Sequence, residues 1–307
     1  MSAGNLYKPI VTIGVCVRNC ASTISETIES IIAQDYPEEY MEVIFVDDGS
    51  EDETLSLIKE YLPKMRGQVK IFHHKWRGIG YSRNIVLKNA KGDYILWLDG
   101  DMVVPKNYVR KLVEFMSNHP KVGIVKGKQS LKSGAGLWGT LEAYSRAASR
   151  MINYRSEKAK NKALGTGGAI YRVSALKEVG GFDEKIKGYG EDLDVEMKIR
   201  AKGWIIDVAD VKFFDYERYG VSLKKLWERY WLRGYYSHYL FHKDNRAIRL
   251  YGMLPLSAVL VGFQHALKIY KVTKDIAAFA LPLFYLFKFS AWWIGFLNSH
   301  KDSYMPK

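Results

Sequence analysis

Tyr94-Ile95-Leu96-Trp97-Leu98-Asp99-Gly100-Asp101 is an apolar run that stops at two carboxylates separated by one glycine. Such a run reads as a strand buried on both faces, and an open α/β sheet binds its ligands beyond the carboxyl ends of such strands. The glycine lets the backbone turn, and two hard oxygen donors so close in sequence suit Mg2+ or Mn2+. An Asp-Gly-Asp turn is also ordinary loop chemistry. The triplet therefore takes its meaning from what surrounds it.

Upstream, Ile10–Val17 is β-branched and alternating, which predicts a strand, and Ser25–Gln34 carries Ile28, Ile31 and Ile32 at helical spacing. Met41–Val46 is a second strand ended by Asp47-Asp48-Gly49-Ser50, with Asp52 or Ser50 placed to cap a helix over Glu53–Tyr61. Val69–His73 is a third strand, and Gly78-Ile79-Gly80-Tyr81 opens a helix to Asn89. Downstream come a helix over Tyr108–Ser117 and a strand over Val122–Lys126. This alternation predicts a mostly parallel sheet flanked by helices, with the polar strand ends converging on one crevice. Leu137–Tyr154 is helical in spacing, Ser156–Lys162 is a polar, basic loop, and Gly165–Tyr171 is a glycine turn leading into a short strand.

Glu191 and Asp192 open the helix expected over Leu193–Lys202. Acids favour a helix N-terminus through capping and the macrodipole. The preceding Gly188-Tyr189-Gly190 leaves the loop free to approach a ligand, and a carboxylate there is suited to general base work.

At 307 residues and 48% apolar content the chain can bury a substantial core. Of the net charge of +13, residues 210–307 hold +8, so the basic surplus lies in the C-terminal third and points to an anionic partner. No nucleic-acid motif is present, and the long apolar segments there favour membrane over nucleic acid. Cys16 and Cys20 make no metal site by themselves, and so few cysteines fit a reducing compartment. Met1–Pro9 lacks the charged-then-apolar pattern of a signal peptide, so the first domain is expected to be cytoplasmic.

Taken in order, Val15–Ser22 with the helix to Tyr36-Pro37, Val46–Ser50, Gly78–Asn84, Asp99-Gly100-Asp101, Gly165–Gly168 and Glu191-Asp192 resemble the family 2 glycosyltransferases over residues 8 to 210. The resemblance implies the GT-A fold, a Rossmann-like α/β architecture, with a catalytic domain over 1–215 (nucleotide-sugar half 1–128, acceptor half 129–215) and a helical, membrane-associated region over 216–307. It implies an inverting transfer from a nucleoside-diphosphate sugar to a glycan hydroxyl, assisted by Mn2+ or Mg2+. Asp48, with Asp47 beside it, is expected at the base and ribose; Val15, Val17 and Gly100 line the donor pocket. Arg77 or Arg83 contacts the base or diphosphate, or Arg83 forms a salt bridge on its helix. Asp101 holds the metal, and Asp99 orients the ribose or supports the metal shell. Asp192 is expected to be the base, with Glu191 the second candidate, and Gly167, Gly168 and Trp231 are placed on the acceptor side. One motif departs: where many membrane polysaccharide synthases of the family carry Gln-x-x-Arg-Trp, this chain has Trp227-Glu228-Arg229-Tyr230-Trp231-Leu232-Arg233-Gly234, without the glutamine.

Leu223–Phe241 is dense in Trp, Tyr and basic residues, as at a membrane interface. Leu250–Leu267 lacks Asp, Glu, Lys and Arg, and Ile276–Asn298 has Lys288 alone, so both reach spanning length. Lys288 near mid-segment and three lysines between Lys268 and Asp275 oppose a simple spanning hairpin. Interfacial or re-entrant helices on the cytoplasmic face are weighed against spanning ones, and either attachment suits a lipid-linked glycan acceptor. Two other classes compete. One is a non-catalytic nucleotide-binding scaffold of the same fold, disfavoured because Asp101 and Asp192 are both present. The other is a nucleotidyltransferase, which needs a Gly/Lys-rich loop that Val17–Ser22 does not supply.

Overall fold

The computed structural model describes residues 8–65, 67–129, 135–156, 159, 162–213, 220–245, 247–248 and 250–303. Most of the polar segment 156–162 and the expected boundary near 215 lie outside them. The chain forms two compact units.

The first unit comprises residues 1–128, 163–184 and 195–214 and is built on a seven-stranded sheet of order β3-β2-β1-β4-β6-β5-β7. Its strands are β1 (Val11–Val17), β2 (Met41–Asp47), β3 (Gln68–His73), β4 (Tyr94–Asp99), β5 (Val122–Gln129), β6 (Ala169–Arg172) and β7 (Ile205–Phe213). β3, β2, β1 and β4 run parallel, as the alternation of strands and helices predicts. The short β6 is antiparallel to both β4 and β5. Ile13, Val15, Phe45, Leu96 and Leu98 are buried, and helix α4 (Tyr108–Asn118) covers the core with Tyr108, Val109, Leu112, Val113 and Met116. These positions recur at one helical face, which is why an otherwise polar segment folds as a helix here.

The remaining helices of this unit are α1 (Ile24–Ile32), α2 (Thr54–Tyr61), α3 (Ile79–Asn89) and α6 (Val173–Glu178). Asp52, an expected cap, accepts the Thr54 backbone N–H at 3.1 Å; the Ser50 hydroxyl instead donates to Asp47 at 2.5 Å. In register, Val17 pairs with Asp47 and Cys16 with Asp99. The carboxyl ends of β1, β2 and β4 are therefore level, and β1 is flanked by β2 and β4 where the strand order reverses, the position at which open sheets bind ligands.

The second unit comprises residues 129–162, 185–194 and 215–307. It holds helices α5 (Gly136–Arg150), α8 (Leu223–Lys243), α9 (Pro255–Thr273) and α10 (Leu281–Lys301). The first residues of α7 (Glu191–Ala201) also belong to it. α9 begins at Pro255, five residues later than the apolar run, because proline fits a first helical turn and not a helix interior. α8 and α10 run side by side in the same direction: Trp227 meets Phe287 (5.4 Å), Lys288 lies over Tyr230 (4.5 Å) and His238 meets Phe296 (5.2 Å). Two glycines allow this closeness, since a Cβ on Gly234 would strike the Trp292 carbonyl and one on Gly295 the Trp231 carbonyl.

Lys288 is buried in this packing. Its ammonium donates to the Ser145 hydroxyl (2.6 Å) and faces the Glu142 carboxylate (3.7 Å). Glu142, 1% exposed, also accepts from Tyr230 (2.7 Å) and Arg146 (2.9 Å). Although burial alone would raise the Glu142 pKa, the cations Lys288, Arg146 and Arg233 hold its carboxyl far below the usual range. The lysine that looked costly in an apolar segment is thus neutralised inside the unit. Among the described residues, one helical stretch, Ile276–Lys301, is long and apolar enough to cross a membrane, and 44% of its most apolar window is buried in the unit.

Candidate active site

Asp99 closes β4 and Asp101 follows Gly100 in a turn pinned by the Met102 N–H to the Asp99 carbonyl (3.1 Å). The turn sits against the loop after β1: Thr23 Oγ1 donates to the Gly100 carbonyl (2.8 Å), and a Cβ on Gly100 would meet Cys20 Sγ and Val17 at 2.9 Å. Glycine is therefore required there for close approach. Asp101 is exposed and Asp99 half-exposed. Two carboxylates at a strand end, open to one side, are an oxygen donor set that fits Mn2+ or Mg2+.

Gly165–Gly168 comes to the same place. The Gly168 N–H donates to the Trp97 carbonyl (2.7 Å), and Tyr108 Oη donates to the Gly168 carbonyl (2.7 Å). Gly168 has φ +78°, which favours glycine. A Cβ on Gly167 would collide with the Asp99 carboxylate. Residues almost seventy positions apart are thus in contact.

The start of this turn is held by a residue whose role the sequence does not reveal. Glu196, on α7, is 1% exposed; its oxygens accept the backbone N–H groups of Leu164 (2.7 Å) and Gly165 (2.9 Å) and the Tyr171 hydroxyl (3.2 Å). A charged residue mid-helix normally reads as a solvated face, so only its burial marks it.

Arg83, 5% exposed on α3, lies 3.9 Å from the Asp99 carboxylate, with its guanidinium against Trp97 (5.9 Å) and Phe182 (5.5 Å). Arg77 is exposed and stacks on Tyr81 at 3.7 Å. Asp48 accepts the backbone N–H groups of Arg77 (2.7 Å) and Gly78 (3.0 Å), so its carboxylate fixes the loop that opens α3. Asp47 is fully buried and accepts from Ser50 while meeting His73 Nδ1 at 2.8 Å. Val15 and Val17 are buried in β1. Burial pushes the Cys16 thiol up to about 12 and that of Cys20 to about 11, so neither is a thiolate at neutral pH.

In the second unit, helix α7 begins at Glu191, two residues earlier than the apolar periodicity implies. Glu191 is buried and Asp192 partly exposed, its Oδ1 2.7 Å from the Leu193 N–H. The loop before them rests on α8. A Cβ on Gly188 would collide with the Tyr236 ring, Arg233 lies over Tyr189 (5.2 Å), and Lys243 pairs with Asp194 at 2.6 Å. Trp231, on α8, stacks with Tyr235 at 5.1 Å. The segment Trp227–Gly234 thus supplies both the Gly234 contact to α10 and the arginine that covers the acidic loop.

A family model described as "Glycosyl transferase family 2" matches residues 12–180. A poly-beta-1,6-N-acetyl-D-glucosamine synthase from Staphylococcus epidermidis is 27% identical over 184 residues, 59% of this chain and 43% of that protein. The poly(ribitol-phosphate) beta-N-acetylglucosaminyltransferase TarS of Staphylococcus aureus (strain Mu50) is 33% identical over 101 residues, 33% of this chain and 18% of that protein. The chain spans less than half the length of these relatives. Among solved structures, a mannosyltransferase from Pyrobaculum calidifontis in complex with GDP-Man and Mn2+ is similar, with TM-score 0.68 and 19% identity, covering 97% of this chain and 89% of that one. S. aureus TarS 1–349 in complex with UDP follows at TM-score 0.54 and 20% identity, covering 97% and 93%. At these identities the structures establish the likeness of fold, the GT-A architecture.

Proposed function

Since this chain belongs to glycosyl transferase family 2, we propose that it is an inverting glycosyltransferase that moves a sugar from a nucleoside-diphosphate sugar to a hydroxyl of a lipid-linked glycan. The observation that carries this reading is the contact of Gly167 with Asp99 at the level ends of β1, β2 and β4. It brings a glycine turn, where backbone can lie close to a sugar, against the carboxylates suited to a cation.

Asp101 and Asp99 would hold Mn2+ or Mg2+, which when bound neutralises charge on the departing nucleoside diphosphate. Arg83 adds a buried positive charge on the same side, next to Asp99. Asp48 keeps the Arg77–Gly78 loop in shape, so that Arg77 and the backbone there meet the donor in a fixed geometry. Val15, Val17, Asp47 and Gly100 form the floor under the donor. In the transfer, the acceptor oxygen bonds to the anomeric carbon, the bond from that carbon to the diphosphate oxygen breaks, and the hydroxyl proton passes to Asp192. Glu191, more buried, is the second candidate for that base. Gly167, Gly168 and Trp231 belong to the acceptor side.

Attachment to the cytoplasmic face of a membrane rests on the surface of the helical unit. Leu256, Leu260, Phe263 and Leu267 form one stripe along α9, each more than half exposed. Lys268, Lys271 and Lys274 are exposed at its end. An apolar stripe bordered by cations suits a helix lying in an anionic interface. The decisive experiment is release of nucleoside diphosphate from a panel including UDP-GlcNAc and GDP-mannose, with and without Mn2+ and a glycan acceptor. Acceptor-dependent, metal-dependent release supports the reading; no release from any donor supports a non-catalytic scaffold instead.

A further inference from the structure

We propose that His238, His242 and His300 form a second metal site, separate from the Asp99–Asp101 pair, that takes one Zn2+-type transition-metal cation. His238 and His242 are four residues apart on α8, so they share one helix face, and His300 comes from the last turn of α10. One donor nitrogen from each ring lies within 4.8 Å of the others. His238 Nε2 is 3.1 Å from His242 Nε2 and 3.2 Å from His300 Nδ1. Three ligands at a Zn–N bond of about 2.0–2.1 Å on a tetrahedron stand about 3.3 Å apart, so the two spacings at His238 Nε2 match those between ligands of one cation, and the third pair lies within 4.8 Å.

Hydrogen bonding accounts for the cluster less well. A ring nitrogen has one proton or one lone pair, so His238 Nε2 satisfies one of its two neighbours and not both. A cation uses all three lone pairs at once. The setting favours positive charge, because α8 and α10 run in the same direction and both present C-terminal ends here. Phe241 and Phe296 wall the inner side, while His242 and His300 are exposed and leave an outward position for water or a fourth ligand. Imidazole sets of this kind select Zn2+, Cu2+ or Ni2+ over Mg2+. A bound ion would tie together two helices, one of which carries the residues that support the acidic loop.

The test is Zn2+ titration of the full chain by calorimetry in excess Mg2+, with visible absorption of the Co2+-loaded protein as a second readout. The wild type is expected to bind one Zn2+ and to give the intense spectrum of tetrahedral Co2+. His242→Gln and His300→Gln, both at exposed positions, should weaken Zn2+ binding by more than the ~100-fold that losing an outer-shell partner costs. Asp101→Asn should leave it unchanged. Absence of Zn2+ binding in the wild type, equal affinity in the histidine variants, or loss of binding in Asp101→Asn would each overturn the proposal.

Discussion

The α-carbon of Gly167 faces the carboxylate of Asp99 so closely that no side chain fits between them. Gly167 does not adopt positive φ, so alanine is tolerated by its backbone; its methyl would displace the Asp99 carboxylate and press more lightly on the Met102 sulfur. Gly167→Ala should leave folding intact and cut kcat/KM for transfer by about 100-fold, the usual cost of a misplaced reacting group. Steady-state kinetics across a Mn2+ titration check this; wild-type kinetics would separate Gly167 from the site.

Asp192→Asn should leave donor affinity nearly unchanged while kcat falls by about 100- to 10,000-fold, the range for loss of a general base. Donor binding by calorimetry and transfer by product release give the two halves of the comparison. Survival of transfer would remove Asp192 from the base role, and Glu191→Gln would then become the informative variant.

Glu142 is the hub of the buried charge network in the helical unit, within reach of Lys288, Arg146 and Arg229. Removing one partner of a buried pair strands the other, at a cost of about 3–5 kcal/mol. Glu142→Ala should therefore destabilise the helical unit by that order, seen in denaturant unfolding. Combined with Lys288→Met the loss should be smaller than the sum of the two single losses.

His265 is buried on α9 with its Nδ1 2.6 Å from the Tyr285 hydroxyl. Burial, reinforced by Lys268, Lys162 and Lys288, lowers its pKa to about 4 from the usual 6.5. A base whose folded pKa is depressed binds its proton first in the unfolded chain. Its contribution is fully present above pH 6.5 and is lost as pH falls toward 4. Thermal unfolding between pH 7 and 4 should show an acid loss that His265→Gln reduces; an identical pH profile in the variant would exclude it.

The sheet and the donor side were legible because they are written locally: apolar runs ending in Asp47-Asp48 and Asp99-Gly100-Asp101 need only strand periodicity and turn chemistry. β7 was not expected, because its clean alternation, with Asp210 and Lys212 exposed between buried Ala209, Val211 and Phe213, covers only five residues and is broken before them at Asp207-Val208. α6, with six residues, is too short for periodicity to mark it. The antiparallel direction of β6 depends on pairing partners distant in sequence. Glu196 and the histidine cluster were invisible for a related reason. A buried glutamate and three histidines up to 62 positions apart acquire meaning only when distant elements are brought together.

The most direct measurement is the thermal stability of the full chain with UDP-GlcNAc and GDP-mannose, each with and without Mn2+, in wild type and Asp101→Asn. A ligand that binds only the folded state raises apparent stability with the logarithm of its concentration over Kd, by about 2.7 kcal/mol at one hundred times Kd. The expected result is stabilisation of the wild type by one nucleotide sugar, dependent on Mn2+ and lost in Asp101→Asn. Equal stabilisation of wild type and variant, or none that depends on the metal, would contradict the assignment of Asp99 and Asp101 as the cation-bridged seat of the donor diphosphate.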